Sequence, residues 1–254
     1  SVDIDLIYGL PVQTLDGFDR TLDIAVQARP DRFAIYSYAH LPKLFRPQQQ
    51  IRAEDLPSPR EKLALLQRAI ERLGAAGYVY IGMDHFALPG DDLARAQDRG
   101  DLHRNFMGYT TCADSDLIGL GVSAISHVGA TSTHTPRDAP RWERATDEGR
   151  LPVWRGMQLD DDDVVRADVI QQLMCLGEID IARTERRHLM GFRDYFAHSW
   201  PQLESLEKDG LVELSSRAIR ATPRGRLLLR VLAACFDRYL APQDGVVTQF
   251  SRTV

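Results

Sequence analysis

The placement of apolar residues over positions 2–83 constrains the fold more than anything else in the chain. Three apolar runs, VDIDLIY, RFAIYSY and YVYIGM, alternate with two stretches of helical spacing. In the first run Val2, Ile4, Leu6 and Tyr8 share one face of a strand, and Asp3, Asp5 and Ile7 share the other. Gly9, Leu10 and Pro11 end that strand. Residues 18–27 place Leu22, Ala25 and Val26 on one side of a helix. The second run, residues 32–38, is apolar on both faces, as in a parallel strand covered from each side. Residues 58–77 give the clearest helix. Ser58 suits the N-cap, Pro59 the first position and Glu61 the third, completing a capping box. Leu63, Leu66, Ile70 and Leu73 recur at helical spacing, and Gly77 fits the end. The third run then reads as the next strand. Strand–helix–strand–helix–strand predicts a parallel sheet with right-handed crossovers. So few parallel strands cannot close a barrel and would leave a long edge. The expected fold is therefore α/β, the C-terminal part of a partial TIM-like (β/α) barrel from a longer protein.

Beyond His127 the character changes. Residues 131–160 are polar, carry Pro136 and Pro140, and read as a linker. Residues 161–176 read as a helix whose Asp161, Asp162 and Asp163 suit its positive N-terminus. Pro201 must start or break an element within 192–208. Two short strands follow, then a helix with Thr222 as N-cap and Pro223 at its first position. That order resembles a winged helix. The expected division is a barrel part over 1–130, a linker over 131–160 and a mainly helical, winged-helix-like domain over 161–254.

A net charge of −5 argues against general nucleic-acid binding and against an anionic membrane surface. No apolar run approaches the length of a membrane span. Cys112, Cys175 and Cys235 are an odd, widely spaced set that builds neither a disulfide framework nor a local metal site. A reducing cytoplasm is the expected compartment.

The stretch 81–126 concentrates residue types that a packed core does not need. Asp84, His85 and Phe86 directly follow the third apolar run. His103, Arg104, Asn105 and Tyr109 lie in a segment without helical or strand period. Gly119, Gly121, Ser123 and Ala124 form a small-residue run that would let a ligand or another backbone approach. Arg104 suits a carboxylate, which it can bind bidentately; the alternative is an ordered loop held by its own hydrogen bonds. Asp5 can accept from a ribose hydroxyl or an ammonium, or can pair with a basic side chain. From pattern alone Ala39 is a small residue and Ile125 a core residue.

MDHFALPGDDLARA, LHRNFMGYTT and GLGVSAIS, together with DLIYGLPVQT, YAHLP and QFSR, resemble the oxygen-independent coproporphyrinogen III oxidases, radical S-adenosylmethionine enzymes of haem biosynthesis. The resemblance covers nearly the whole chain in the family's order. It implies oxidative decarboxylation of two propionates of coproporphyrinogen III to vinyl groups, giving protoporphyrinogen IX. In that chemistry a 4Fe-4S cluster reduces S-adenosylmethionine to a 5′-deoxyadenosyl radical, which takes a propionate hydrogen. The resemblance also implies two S-adenosylmethionine molecules, with Asp5, Ala39 and Ile125 at positions that contact them. It places the CxxxCxxC cluster loop upstream of residue 1, so this chain alone is expected to carry no catalytic residue and no metal ligand. The implied partners are coproporphyrinogen III and an electron donor, with the complete protein a monomer. Two other readings stand beside it: a haem chaperone of the same superfamily, and a winged-helix nucleic-acid-binding regulator.

Overall fold

The computed structural model describes residues 1–113 and 115–240; the QFSR motif lies outside the described residues. The chain opens with β1 (Asp3–Tyr8), α1 (Leu15–Ala28), β2 (Arg32–Ser37), α2 (Pro59–Ala75), β3 (Val79–Gly82) and β4 (His85–Ala87). β1 and β2 run parallel, with Asp3 opposite Arg32 and Tyr8 opposite Ser37. Each helix begins where a side chain can satisfy its first free N–H groups. The Thr14 hydroxyl accepts from Gly17 N at 3.1 Å. In the box predicted for α2, Ser58 N donates to the Glu61 carboxylate at 2.8 Å and the Ser58 hydroxyl accepts from Glu61 N at 3.3 Å.

One face of the sheet lies under α1 and α2. Phe18 and Leu22 of α1 and Leu65, Ala69 and Leu73 of α2 pack on Tyr8, Phe33, Ile35 and Phe86 in one apolar cluster. Tyr78 meets Phe33 edge-on at 5.0 Å and donates its hydroxyl to Pro30 O at 2.7 Å, so the ring is buried without orphaning its polar end.

The all-parallel sheet expected from the sequence needs one correction. The strand order is β1-β2-β4-β3, and β4 is antiparallel to both of its neighbours. The chain doubles back after β3 because Gly82 and Met83 both take positive φ, 152° and 49°. This drives Phe86 into the core between Phe33 and Tyr80 and keeps β3 from pairing with β2.

Next come α3 (Asp92–Arg99), the hairpin β5 (His103–Asn105) and β6 (Gly108–Thr110), then β7 (Ile125–Val128), β8 (Thr131–His134), α4 (Ala139–Asp147) and β9 (Arg155–Gln158). Residues 131–160, expected as a linker, thus hold two strands and a helix, and β7-β8-β9 form an antiparallel sheet. Pro140 punctuates no loop. It sits in the first turn of α4, where its missing N–H has no helical partner to lose, and Asp138 caps that helix on Arg141 N at 2.9 Å. The close approach expected of the small-residue run is present at Gly119, where a Cβ would lie 2.6 Å from Ile125 O.

The remainder comprises α5 (Asp161–Leu176), β10 (Glu178–Asp180), α6 (Ile181–His188), α7 (Phe192–Tyr195), α8 (Trp200–Lys208), β11 (Val212–Leu214), β12 (Ala218–Ala221) and α9 (Leu229–Ala234). Asp163 closes a second capping box with Asp160. Pro201 lies in the first turn of α8. β10-β12-β11 is antiparallel and covers a core of Val169, Leu173, Phe192, Phe196, Ile219 and Phe236. The Thr222 hydroxyl does accept from Gly225 N at 3.0 Å, but the turn it opens is 3-10 rather than α, and α9 starts four residues later than Gly225. A Cβ at Gly225 would lie 1.8 Å from Leu211 O, so the turn is pressed against the backbone just before β11. Gln97, whose amide donates to Cys175 O at 3.4 Å, and Tyr109, whose hydroxyl donates to Met174 O at 2.8 Å, tie the two halves of the chain together. No helix among the described residues is long and apolar enough to cross a membrane.

Candidate functional site

The period-two alternation of β1 turns Ile4, Leu6 and Tyr8 toward the helices and leaves Asp3, Asp5 and Ile7 on the opposite face. The register extends that second face across the sheet: Asp5 stands opposite Ala34, Ile7 opposite Tyr36, and Ala34 opposite His85. α3, the hairpin β5–β6 and α5 cover this face over Ile81 and Ala87, and Tyr109 of the hairpin reaches His85. Asp5 and Tyr36 remain exposed.

Around His85 the face holds a chain of rings. Tyr36 meets the imidazole edge-on at 6.1 Å, and Tyr109 meets it at 5.2 Å. Arg104 pairs across the hairpin with Tyr109 and lies 5.8 Å from that ring's centre. Burial, helped by the Arg104 charge, pushes the His85 pKa down to about 4 against the pull of Asp5, so the imidazole is neutral near pH 7. Burial also raises the Asp3 carboxyl, with Asp5 adding to it and Arg32 opposing, and raises the Tyr109 phenol. His85 Nδ1 and Arg104 Nε are buried without a hydrogen-bond partner.

Past the ends of β1 and β2 a cavity of about 230 Å³ opens between the sheet and α9, lined by Tyr8, Tyr38, Ala39, Lys62, Asp84 and Arg230 among others. The Lys62 ammonium donates to Tyr38 O at 2.9 Å, and burial lowers its pKa. Gly9, at φ 82°, makes room for this lysine, since a Cβ there would lie 2.5 Å from Lys62 Cε. Burial raises the Asp84 carboxyl, opposed by Arg230 at 3.6 Å and by Arg104. On either side of Ala39, Tyr38 OH and His40 Nδ1 are buried without partners.

Asp5 therefore lies on the open face of β1, and Ala39 just past the end of the neighbouring β2, at the cavity. Ile125 is half-buried in the separate sheet β7-β8-β9, opposite His134. Lys62 and Arg230 escaped the sequence reading: Lys62 sits in a helix read only for its caps and apolar stripe, and Arg230 in one read only for its start. A glycine directly after a strand was the one local sign that a side chain passes close to that strand end.

The three cysteines stay apart. Cys112 is exposed, and Cys175 and Cys235 are buried in different apolar clusters, where burial pushes their thiols up to about 12 and about 11. Thiols so disfavoured as thiolates are poor metal ligands.

An α/β sheet with one packed face and one polar face, and a cavity past its strand ends, is the arrangement in which open α/β folds bind ligands at the carboxyl ends of their strands. The comparisons give the family. The HemN C-terminal domain family matches residues 159–228. The oxygen-independent coproporphyrinogen III oxidase of Pseudomonas aeruginosa is 51% identical over 254 residues, which is 100% of this chain and 55% of that protein. The enzyme of that name from Thermostichus vulcanus is 42% identical over 246 residues, 96% of this chain and 76% of that protein. The solved coproporphyrinogen III oxidase of Escherichia coli, described as a radical SAM enzyme, superposes with a TM-score of 0.91 at 47% identity, covering 94% of this chain and 55% of its own. The chain belongs to the oxygen-independent coproporphyrinogen III oxidase family. It spans about half the length of the Pseudomonas and Escherichia relatives.

Proposed function

We propose that the intact protein carries out the oxygen-independent oxidative decarboxylation of coproporphyrinogen III to protoporphyrinogen IX in haem biosynthesis. The observation that carries this reading is the continuous 51% identity to a relative of that name over the whole chain. S-adenosylmethionine, when bound, supplies the radical that takes a hydrogen from a substrate propionate. Asp5, Ala39 and Ile125 are the residues assigned to it. Asp5 offers an exposed carboxylate as acceptor, and Ala39 lines the cavity between two buried polar atoms that lack partners, Tyr38 OH and His40 Nδ1. These features fit a polar ligand with ribose hydroxyls and an amino group.

The cysteines described above do not fit an iron–sulfur cluster, so this reading routes no step through them. A 4Fe-4S cluster needs three thiolates close together, and among the described residues no group of metal-ligating side chains forms. The cluster ligands are assigned to a part of the family's sequence outside this chain. Residues 1–130 are read as part of a partial TIM-like barrel, and residues 161–254 as winged-helix-like. Support for the latter is the order α5, β10, three helices (α6, α7 and α8), β11, β12 around one antiparallel sheet. The reading gives that region no nucleic-acid role, in keeping with the acidic net charge. It takes the protein as a cytoplasmic monomer that receives electrons from a separate donor.

The test is anaerobic turnover. Intact protein reconstituted with iron and sulfide is supplied with S-adenosylmethionine, a reductant and coproporphyrinogen III. Protoporphyrinogen IX and 5′-deoxyadenosine are expected. A fully loaded protein that forms neither overturns the proposal.

A further inference from the structure

Arg104 is the least satisfied charge on the open face of the first sheet. It is half-buried, its Nε is buried without a partner, and none of its guanidinium N–H groups donates a hydrogen bond among the described residues. No carboxylate pairs with it there either. Asp84, which feels its field, lies against Arg230 at 3.6 Å, and Asp5 stands across the sheet on β1. Arg32, the other cation near His85, is already bound to Asp91 at 2.9 Å. A guanidinium withdrawn from water without a countercharge costs several kcal/mol, so such a group is kept where an anion arrives from outside.

The hairpin that presents Arg104 is held firmly. Gln171 of α5 donates to Arg104 O and to the His103 ring. Tyr109, opposite Arg104, is fixed at both ends, its ring against His85 and its hydroxyl on Met174 O at 2.8 Å. Two buried N–H or nitrogen positions without partners, Arg104 Nε and His85 Nδ1, thus sit on one rigid patch bordered by Tyr36 and Tyr109. The patch offers a fixed cation, a neutral imidazole and aromatic walls. A planar anion with two oxygens suits it, because the guanidinium fork binds a carboxylate through two parallel hydrogen bonds.

We propose that Arg104, with His85 beside it, is the anchor for a carboxylate of the ligand seated on the open sheet face. This rests on the ligand class given under Proposed function and adds the residue that grips it. The carboxylate has two sources in that reading, a propionate of the tetrapyrrole or the amino-acid end of S-adenosylmethionine, and both share the chemistry Arg104 requires.

The test is equilibrium binding to the intact protein, wild type against Arg104→Gln and Arg104→Lys, with folding checked by circular dichroism. The probes are coproporphyrin III, its tetramethyl ester and S-adenosylmethionine. Removing a bidentate partner should weaken the carboxylate-bearing ligand by roughly tenfold or more, with Arg104→Lys recovering only part of the loss. A loss for coproporphyrin III, with the tetramethyl ester unaffected, assigns the propionate. A loss for S-adenosylmethionine alone assigns the amino-acid carboxylate. Wild-type binding of coproporphyrin III and S-adenosylmethionine with no change in folded Arg104→Gln overturns the inference and leaves the proposed function standing. Wild type that binds neither coproporphyrin III nor S-adenosylmethionine overturns the proposed function itself.

Discussion

The two faces of the first sheet are built from the same strands, yet they obey different rules. Under α1 and α2 the strand positions are apolar or aromatic, rings meet edge-on, and the phenols of Tyr78 and Tyr80 donate to Pro30 O and Met83 O. One residue along, the opposite face carries Asp3, Asp5, Tyr36 and His85, with carboxyl and imidazole groups shifted by partial burial. Satisfied polar atoms mark the first face, and unpartnered ones mark the second. The comparison teaches that strand alternation here separates what holds the fold from what is left for a ligand.

The sharpest way to break that contrast is to cut equally into each face. Phe33→Ala, at a fully buried position, is expected to destabilise the protein by about 3–5 kcal/mol. Asp5→Ala, on an exposed position of the other face, should stay within about 0.5 kcal/mol of wild type. Chemical denaturation of both variants checks this, and equal losses would dissolve the distinction.

A second test uses pH. The His85 pKa is lower in the folded protein, about 4, than the ordinary 6.5, so the unfolded chain binds more protons between those values. Stability attributable to a neutral His85 is therefore complete above pH 6.5 and falls as pH drops toward 4, by about 3 kcal/mol in all. Asp84, raised by burial, runs the other way, since protonation relieves its desolvation. The difference in unfolding free energy between wild type and His85→Asn across this window isolates the imidazole. A difference that does not vary with pH contradicts the assignment.

Binding sharpens the comparison further. Asp5→Ala in the intact protein is expected to weaken S-adenosylmethionine by about 1–3 kcal/mol, the range for a lost hydrogen bond to a charged group. Isothermal titration measures it, and unchanged affinity in a folded variant removes Asp5 from the site. The smallest effect belongs to the packed side. Ser58→Ala removes half of the α2 capping box and should cost about 1 kcal/mol, read as a shift in denaturation midpoint with ligand binding unaltered.

The parts of this fold that could be read in advance are those specified within a few consecutive residues. The Ser58–Glu61 box and the leucine stripe of α2 declare that helix locally, and the alternation of β1 places Asp5 on its face. β4 was missed because three residues are too few to show a period, and because the turn before it relies on Met83, not a residue that announces positive φ. The hairpin β5–β6 turns at Phe106 and Met107, which lack the usual turn chemistry, with only Gly108 behind them as a hint. The Tyr36–His85–Tyr109–Arg104 assembly draws on β2, β4 and the hairpin. It exists only once register and the antiparallel insertion are set, and no spacing along the chain encodes that.

The insertion of β4 has one more outcome. At one border of the sheet β3 has its Ile81 carbonyl taken by the Gln97 side chain and Tyr109 pressed against Gly82. At the other border, among the described residues, β1 pairs only with β2 and keeps its outer backbone free of any strand. Growth of this sheet is therefore polar, like that of a filament with one capped end. An incoming strand can dock beside β1, in line with Asp5 and Ile7, and any strand added there arrives directly at the rim of the polar face.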